Sequence, residues 1–167
     1  MTGIMIQTLT GAYLAAATAT DLRWRRIPNV LSLAALAAGA GLHLFGLESV
    51  SLSGFLWLLG LGYVFYALGI FGGGDAKLVA VLGFLLGPER AAAVLLYGLV
   101  WLVLWLLPAR MLHFGWRRFW REEMLGLMLL AARVKLSGAP RVDACHVPAA
   151  PFFLAGFLTV LVLEVVA

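Results

Sequence analysis

The sequence predicts an all-α protein: a polytopic membrane bundle of about six transmembrane helices, with one further amphipathic helix at the cytoplasmic interface. Three observations carry that expectation. Hydrophobic residues make up 63% of the chain and charged residues 12%, against roughly 45–50% and 25% in soluble domains. Mean hydropathy is +1.01. The apolar residues fall in runs of about span length, parted by short stretches rich in Gly, Pro or charge. The chain has 167 residues, room for about six spans of ~20 residues and for no separate soluble domain. Residues 1–167 are therefore read as a single membrane-embedded domain.

The elements follow in order. Residues 4–20 form a first helix, rich in Ala and Thr, whose small side chains suit close packing against neighbours. Residues 1–20 lack a basic start, so this stretch is expected to be retained rather than cleaved as a signal peptide. DLRWRRIPN, residues 21–29, holds an acid, three arginines and a Trp, as expected at a membrane interface. Pro28 suits a helix start, where its missing N–H would be unpaired anyway. Residues 30–47 and 53–71 make the second and third spans, the latter carrying Trp57, Tyr63 and Tyr66 and ending at Gly72 to Gly74. Residues 75–87 make a fourth helix of roughly 18 Å, too short to cross ~30 Å of hydrocarbon and so expected inside the bundle. Residues 91–107 are a fifth span closed by Pro108, and residues 148–166 a sixth. Between them, Met124 to Ala132 is an apolar core of nine residues flanked by Arg117, Arg118 and Arg121 before it and Arg133 and Lys135 after it. That pattern predicts an interfacial helix over roughly 116–135.

Charge gives the orientation. Of the twelve basic residues, eleven fall on one side of these spans and Arg90 alone on the other. The basic side is expected in the cytoplasm and both termini outside. The same distribution explains the excess of 12 basic over 8 acidic residues without nucleic acid as a partner; membrane lipid is the expected surroundings. One cysteine, Cys145, excludes an internal disulfide and a multi-thiolate zinc site. Asp143 and His146 make two ligands without a third, so no metal and no cofactor are expected.

The residue that does not fit a lipid-like chain is Asp75, in GGGDAKLVAVLG, residues 72–83. An acid at membrane depth costs several kcal/mol unless paired or solvated, which marks it as functional. The preceding glycines permit backbone conformations and close approaches closed to other residues. The orientation drawn from charge alone brings Asp75 to the same face as Asp21. Two carboxylates within a few ångströms cannot both ionise easily, so such a pair shares a proton. One then takes a proton from water while the other donates to a scissile carbonyl, as in an aspartyl protease. Asp21 ends one helix and Asp75 begins another, and the helix dipoles accordingly cast Asp75 as the base and Asp21 as the acid. Cys145 beside His146 reads as loop sequence, since adjacent residues rarely form a catalytic pair.

DLRWRRIPN, followed about fifty residues later by GGGDAKLVAVLG, resembles the two signature regions of the type IV prepilin peptidases, membrane aspartyl proteases of the G-x-G-D kind. VPAAPFFLAG, residues 147–156, resembles the proline-containing lead-in to that family's last helix. The resemblance implies a hydrolase of the bacterial inner membrane that removes the leader from pilin-like precursors at the cytoplasmic face, serving type IV pili or protein secretion. It casts Asp21 and Asp75 as the catalytic dyad. Gly72 and Gly74 would shape the turn that presents Asp75, with Arg23, Pro28, Asn29 and Lys77 as supporting motif residues. The paired loop cysteines of larger, N-methylating members are absent, so the chain is similar to the small members serving tight-adherence (Flp) pili. Blander readings stand beside these: Arg23, Arg25 and Arg26 as interface anchors, Lys77 as a snorkelling lysine, His43 as a packed or interface residue. The alternatives are a related preflagellin-type or other G-x-G-D intramembrane protease, and a small non-enzymatic transporter or assembly subunit.

Overall fold

The structure, a computed structural model, describes residues 3–67, 71–114 and 149–166. Among them every regular element is a helix: α1 Ile4–Trp24, α2 Asn29–Leu44, α3 Leu52–Ala67, α4 Gly73–Leu86, α5 Pro88–Phe114 and α6 Ala150–Val166. Contacts divide the chain into two units, Met1–Trp101 with Pro148–Ala167, and Leu102–Val147. The described residues of the second unit are the continuation of α5. The expected interfacial helix at 116–135, and Cys145, Asp143 and His146 with it, lie outside the described residues.

The first unit is built round α4. Leu78, Val79, Ala80, Val81, Leu82, Gly83, Leu85 and Leu86 are all buried, so the helix is covered on every side, as a uniformly apolar helix must be. At 14 residues it is about 21 Å long, and it packs on α1, α2 and α3. This is the short, enclosed helix that the apolar run after Asp75 leads one to expect. Its closest neighbour is α3, where Gly54 and Gly83 meet backbone to backbone: a Cβ on either would strike the other's carbonyl oxygen. Small residues at such crossings let two helices approach to backbone contact.

α1 meets the core along a stripe of Ile6, Thr10, Tyr13, Leu14, Ala17 and Asp21, whose spacing of three and four residues defines one helix face. The Tyr13 and Ser32 hydroxyls, 3.2 Å apart, join this stripe to α2. Facing away from the core, Trp57, Tyr63 and Tyr66 of α3, Leu96 and Trp101 of α5, and Leu158 and Val162 of α6 are exposed. Soluble monomers rarely leave so much large apolar surface uncovered. The segment Pro88–Leu106 is long and apolar enough to cross a membrane; Asn29–Leu44, Leu52–Ala67 and Ala150–Val166 are apolar but shorter.

Several boundaries differ from the sequence expectation. α1 runs four residues past Thr20, to Trp24. α2 stops at Leu44, ahead of a turn in which Gly46 takes φ 67°. The largest difference is α5, expected over 91–107 and closed by Pro108, but helical over 88–114 with Pro108 inside it. A proline inside a helix forfeits one backbone hydrogen bond, and the strong helix formers on both sides of it, Leu106 and Leu107 before and Ala109, Arg110, Met111 and Leu112 after, carry the helix through. The earlier start follows from Pro88 at the first helical position, where no N–H is needed.

The Gly54–Gly83 contact gives a direct expectation for stability. Gly83→Leu should destabilise the protein by about 2 kcal/mol or more through overpacking, lowering the midpoint of thermal unfolding in detergent. Gly60→Ala, at a position with open space around it, should leave that midpoint unchanged or raise it.

Candidate active site

Asp21 lies in the last turn of α1 and is 8% exposed. It prolongs the buried stripe, so its side chain faces the bundle. The helix ends just beyond it: Arg25 adopts the left-handed conformation (φ 51°, ψ 34°), and its N–H donates to the Asp21 carbonyl at 2.8 Å. That left-handed residue terminates the helix in the manner of an αL cap. The Asp21 carboxylate accepts a hydrogen bond from the backbone N–H of Ala150, 3.3 Å from Oδ2. Ala150 opens α6, so this N–H is one of the donors that a helix start cannot satisfy internally.

Asp75 is the third residue of α4 and half-buried. Its Oδ2 accepts the N–H of Gly72 at 3.0 Å, while the Gly72 carbonyl accepts the N–H of Ala76 at 3.2 Å. This is the return half of a capping box, the acid at the third position reaching back to the residue before the helix. Gly72 is extended (φ −75°, ψ 160°), and the turn thus depends on what it packs against rather than on a left-handed glycine.

The segment after Asp21 supplies that packing. Ile27, 7% exposed, lies over Gly74, with its side-chain carbons 3.5 Å from where a Cβ would stand. Two residues on, Asn29 opens α2 and its Oδ1 accepts a hydrogen bond of 2.7 Å from Lys77 Nζ. Lys77 is therefore bonded to the other motif rather than simply reaching for solvent. Pro28 is the residue before α2, with φ −62° and ψ 137°, one place earlier than a first helical position. Thus Gly74, Lys77 and Asn29 come together, and Asp21 and Asp75 share one end of the first unit. Arg23 does not join them; it is exposed, its guanidinium 5.5 Å from the ring centroid of neighbouring Trp24.

At the opposite end, Arg90 Nε lies 3.2 Å from Glu164 Oε1, Gln7 Nε2 donates to Glu164 Oε2 at 3.5 Å, and Gly3 N–H donates to Glu48 at 3.0 Å. Two site features escaped the sequence reading, the Ala150 N–H and Ile27. Ile27 had a signal, as the apolar residue in an otherwise polar loop. The Ala150 donor had none, since a backbone N–H belongs to every residue. It also removes the basis for assigning roles from helix ends: both carboxylates now bond N–H groups at helix starts, so that criterion no longer separates acid from base.

A model of the type IV leader peptidase family matches residues 8–165. The chain belongs to the type IV leader peptidase family. It is accordingly a peptidase, and its family is of the aspartic type and membrane-associated in bacteria. No match was found among curated proteins or among solved structures. The matched stretch takes in both acidic motifs and the start of α6, the segments whose contacts are described above.

The two carboxylates should differ from their amides in function more than in fold. Asp21→Ala leaves the buried Ala150 N–H without a partner and should cost about 1–2 kcal/mol. Asp21→Asn retains an accepting oxygen and should stay within about 0.5 kcal/mol of wild type. Thermal unfolding of the two purified variants in one detergent checks the difference.

Proposed function

We propose that this chain is a prepilin leader peptidase. It is a multi-pass, single-domain protein of the bacterial inner membrane that hydrolyses the leader of a pilin-like precursor at the cytoplasmic face. Asp21 and Asp75 are its catalytic dyad, with Gly72, Gly74, Pro28, Asn29 and Lys77 supporting them and no cofactor. Family membership supports the peptidase reading. The observation that carries the dyad is the double contact of Ile27 with Gly74 and of Asn29 with Lys77. It ties the segment following Asp21 to the turn that presents Asp75.

The chemistry needs one proton shared by two carboxylates. The ionised group removes a proton from water as the oxygen attacks the scissile carbonyl carbon, while the protonated group gives its proton to the carbonyl oxygen. The tetrahedral diol then collapses: the group that took the water proton gives it to the amide nitrogen, the C–N bond breaks, and the other carboxylate takes the proton of one diol hydroxyl as the new carbonyl forms, so the dyad again holds a single proton. Water is the nucleophile throughout, so no acyl-enzyme forms. Eleven of twelve basic residues on one side support a cytoplasmic site by the positive-inside rule. Absence of the paired loop cysteines supports a small form that cleaves without methylating, similar to the peptidases of tight-adherence pili.

Co-expression with a pilin-like precursor tests this reading. The wild-type chain should reduce the precursor's mass by that of its leader. Asp21→Asn and Asp75→Asn should each slow cleavage by about a thousandfold or more while still accumulating in the membrane. A variant that cleaves at the wild-type rate would remove its residue from the dyad. A wild-type chain that leaves such precursors uncut would point instead to a transporter or assembly subunit.

A further inference from the structure

The described threonines of this chain share a habit, and Thr18 departs from it. Thr8, Thr10, Thr20 and Thr159 each donate back to a carbonyl of their own helix, at 2.8, 2.7, 2.9 and 2.9 Å. Such back-bonding is how a helical threonine satisfies its hydroxyl in apolar surroundings. Thr18 Oγ1 is buried and makes no hydrogen bond. A buried polar atom left in this state opposes folding and calls for an explanation.

Its place on α1 supplies one. α1 and α6 run antiparallel along a seam fixed by three contacts: Gln7 with Glu164, Gly11 against the Phe157 ring, and Asp21 with Ala150. Thr18 is seven residues beyond Gly11, two turns along the same face. It stands three residues before Asp21, on the same side of the helix. The hydroxyl therefore sits in the seam, opposite the first turn of α6. Helical side chains lean toward the N-terminus of their helix, so the Asp21 carboxylate leans back over the turn that bears Thr18.

We propose that Thr18 is a positioning residue for Asp21. In the reacting complex its hydroxyl donates a hydrogen bond to the Asp21 carboxylate and holds the orientation in which that group exchanges its proton. Since Oδ2 is already held by Ala150 N–H, a second donor fixes rotation about the Cβ–Cγ bond, which one bond leaves loose. The proposal rests on the role of Asp21 in the dyad. It adds that the hydroxyl is kept at the expense of stability because the reaction uses it.

Thr18→Val and Thr18→Ser separate this role from packing. In the full-length protein acting on a pilin-like precursor, Thr18→Val should lower kcat by about tenfold and leave KM within about twofold. Its thermal midpoint should be equal to or above wild type, because a methyl replaces an unpaired hydroxyl. Thr18→Ser, which restores the hydroxyl, should recover most of kcat. Wild-type kcat in Thr18→Val overturns the proposal. So does a Thr18→Ser variant as slow as Thr18→Val, or a fall in stability in Thr18→Val that parallels the loss of activity. Cleavage that persists unchanged in Asp21→Asn removes the dyad and this proposal together, whereas a dead Asp21→Asn beside a fully active Thr18→Val removes this proposal alone.

Discussion

The hydrogen bond from Ala150 N–H to Asp21 joins residues 129 apart in sequence, and much of the first unit follows from it. An apolar bundle presents two problems at once: a carboxylate needs donors, and a helix start has donors without acceptors. α1 and α6 solve each other's problem by meeting at this point. With the start of α6 held at the end of α1 and Phe157 against Gly11, the two helices run antiparallel. That brings Glu164 to Gln7 and Arg90 at the far end. The charged side chains of α1, α4 and α6 are thus sorted to the two ends of the unit, with the apolar core of α4 between them.

The placement of Asp75 depends on a different constraint, the close crossing of α3 and α4. Because Gly54 and Gly83 touch through their backbones, α4 is drawn deep enough to be covered on all sides. A helix of 14 residues in that position ends well short of a full span and leaves its first turn at the edge of the core. Ile27 and Asn29 then close over that turn from the α1–α2 connection. Asp75 is consequently half-buried rather than fully enclosed.

Part of this was legible in the sequence: the short apolar run after Asp75 announced an enclosed helix, while the charge asymmetry gave only the expectation that Asp21 and Asp75 lie on one face. Pro108 misled because the strong helix formers around it, Leu106, Leu107, Ala109, Arg110, Met111 and Leu112, carry α5 through it. The pairing of Lys77 with Asn29 required knowing that the α1–α2 connection folds over α4, a contact across 48 residues that no local pattern encodes. The Ala150 donor was invisible for the reason that it is backbone. Chemically, it makes the surroundings of the two acids more alike than their helix ends suggest.

The proposed dyad requires that Asp21 and Asp75 face a common space at one end of the bundle. Cross-linking measures this directly. With Cys145→Ser removing the native thiol, the pair Asp21→Cys and Asp75→Cys should be joined within one chain by a short bifunctional maleimide, seen as a linked peptide in the mass spectrum of a digest. The pair Asp21→Cys and Glu164→Cys, from opposite ends of α1 and α6, should not be joined. A link in the second pair and none in the first would contradict the arrangement on which the proposed dyad rests.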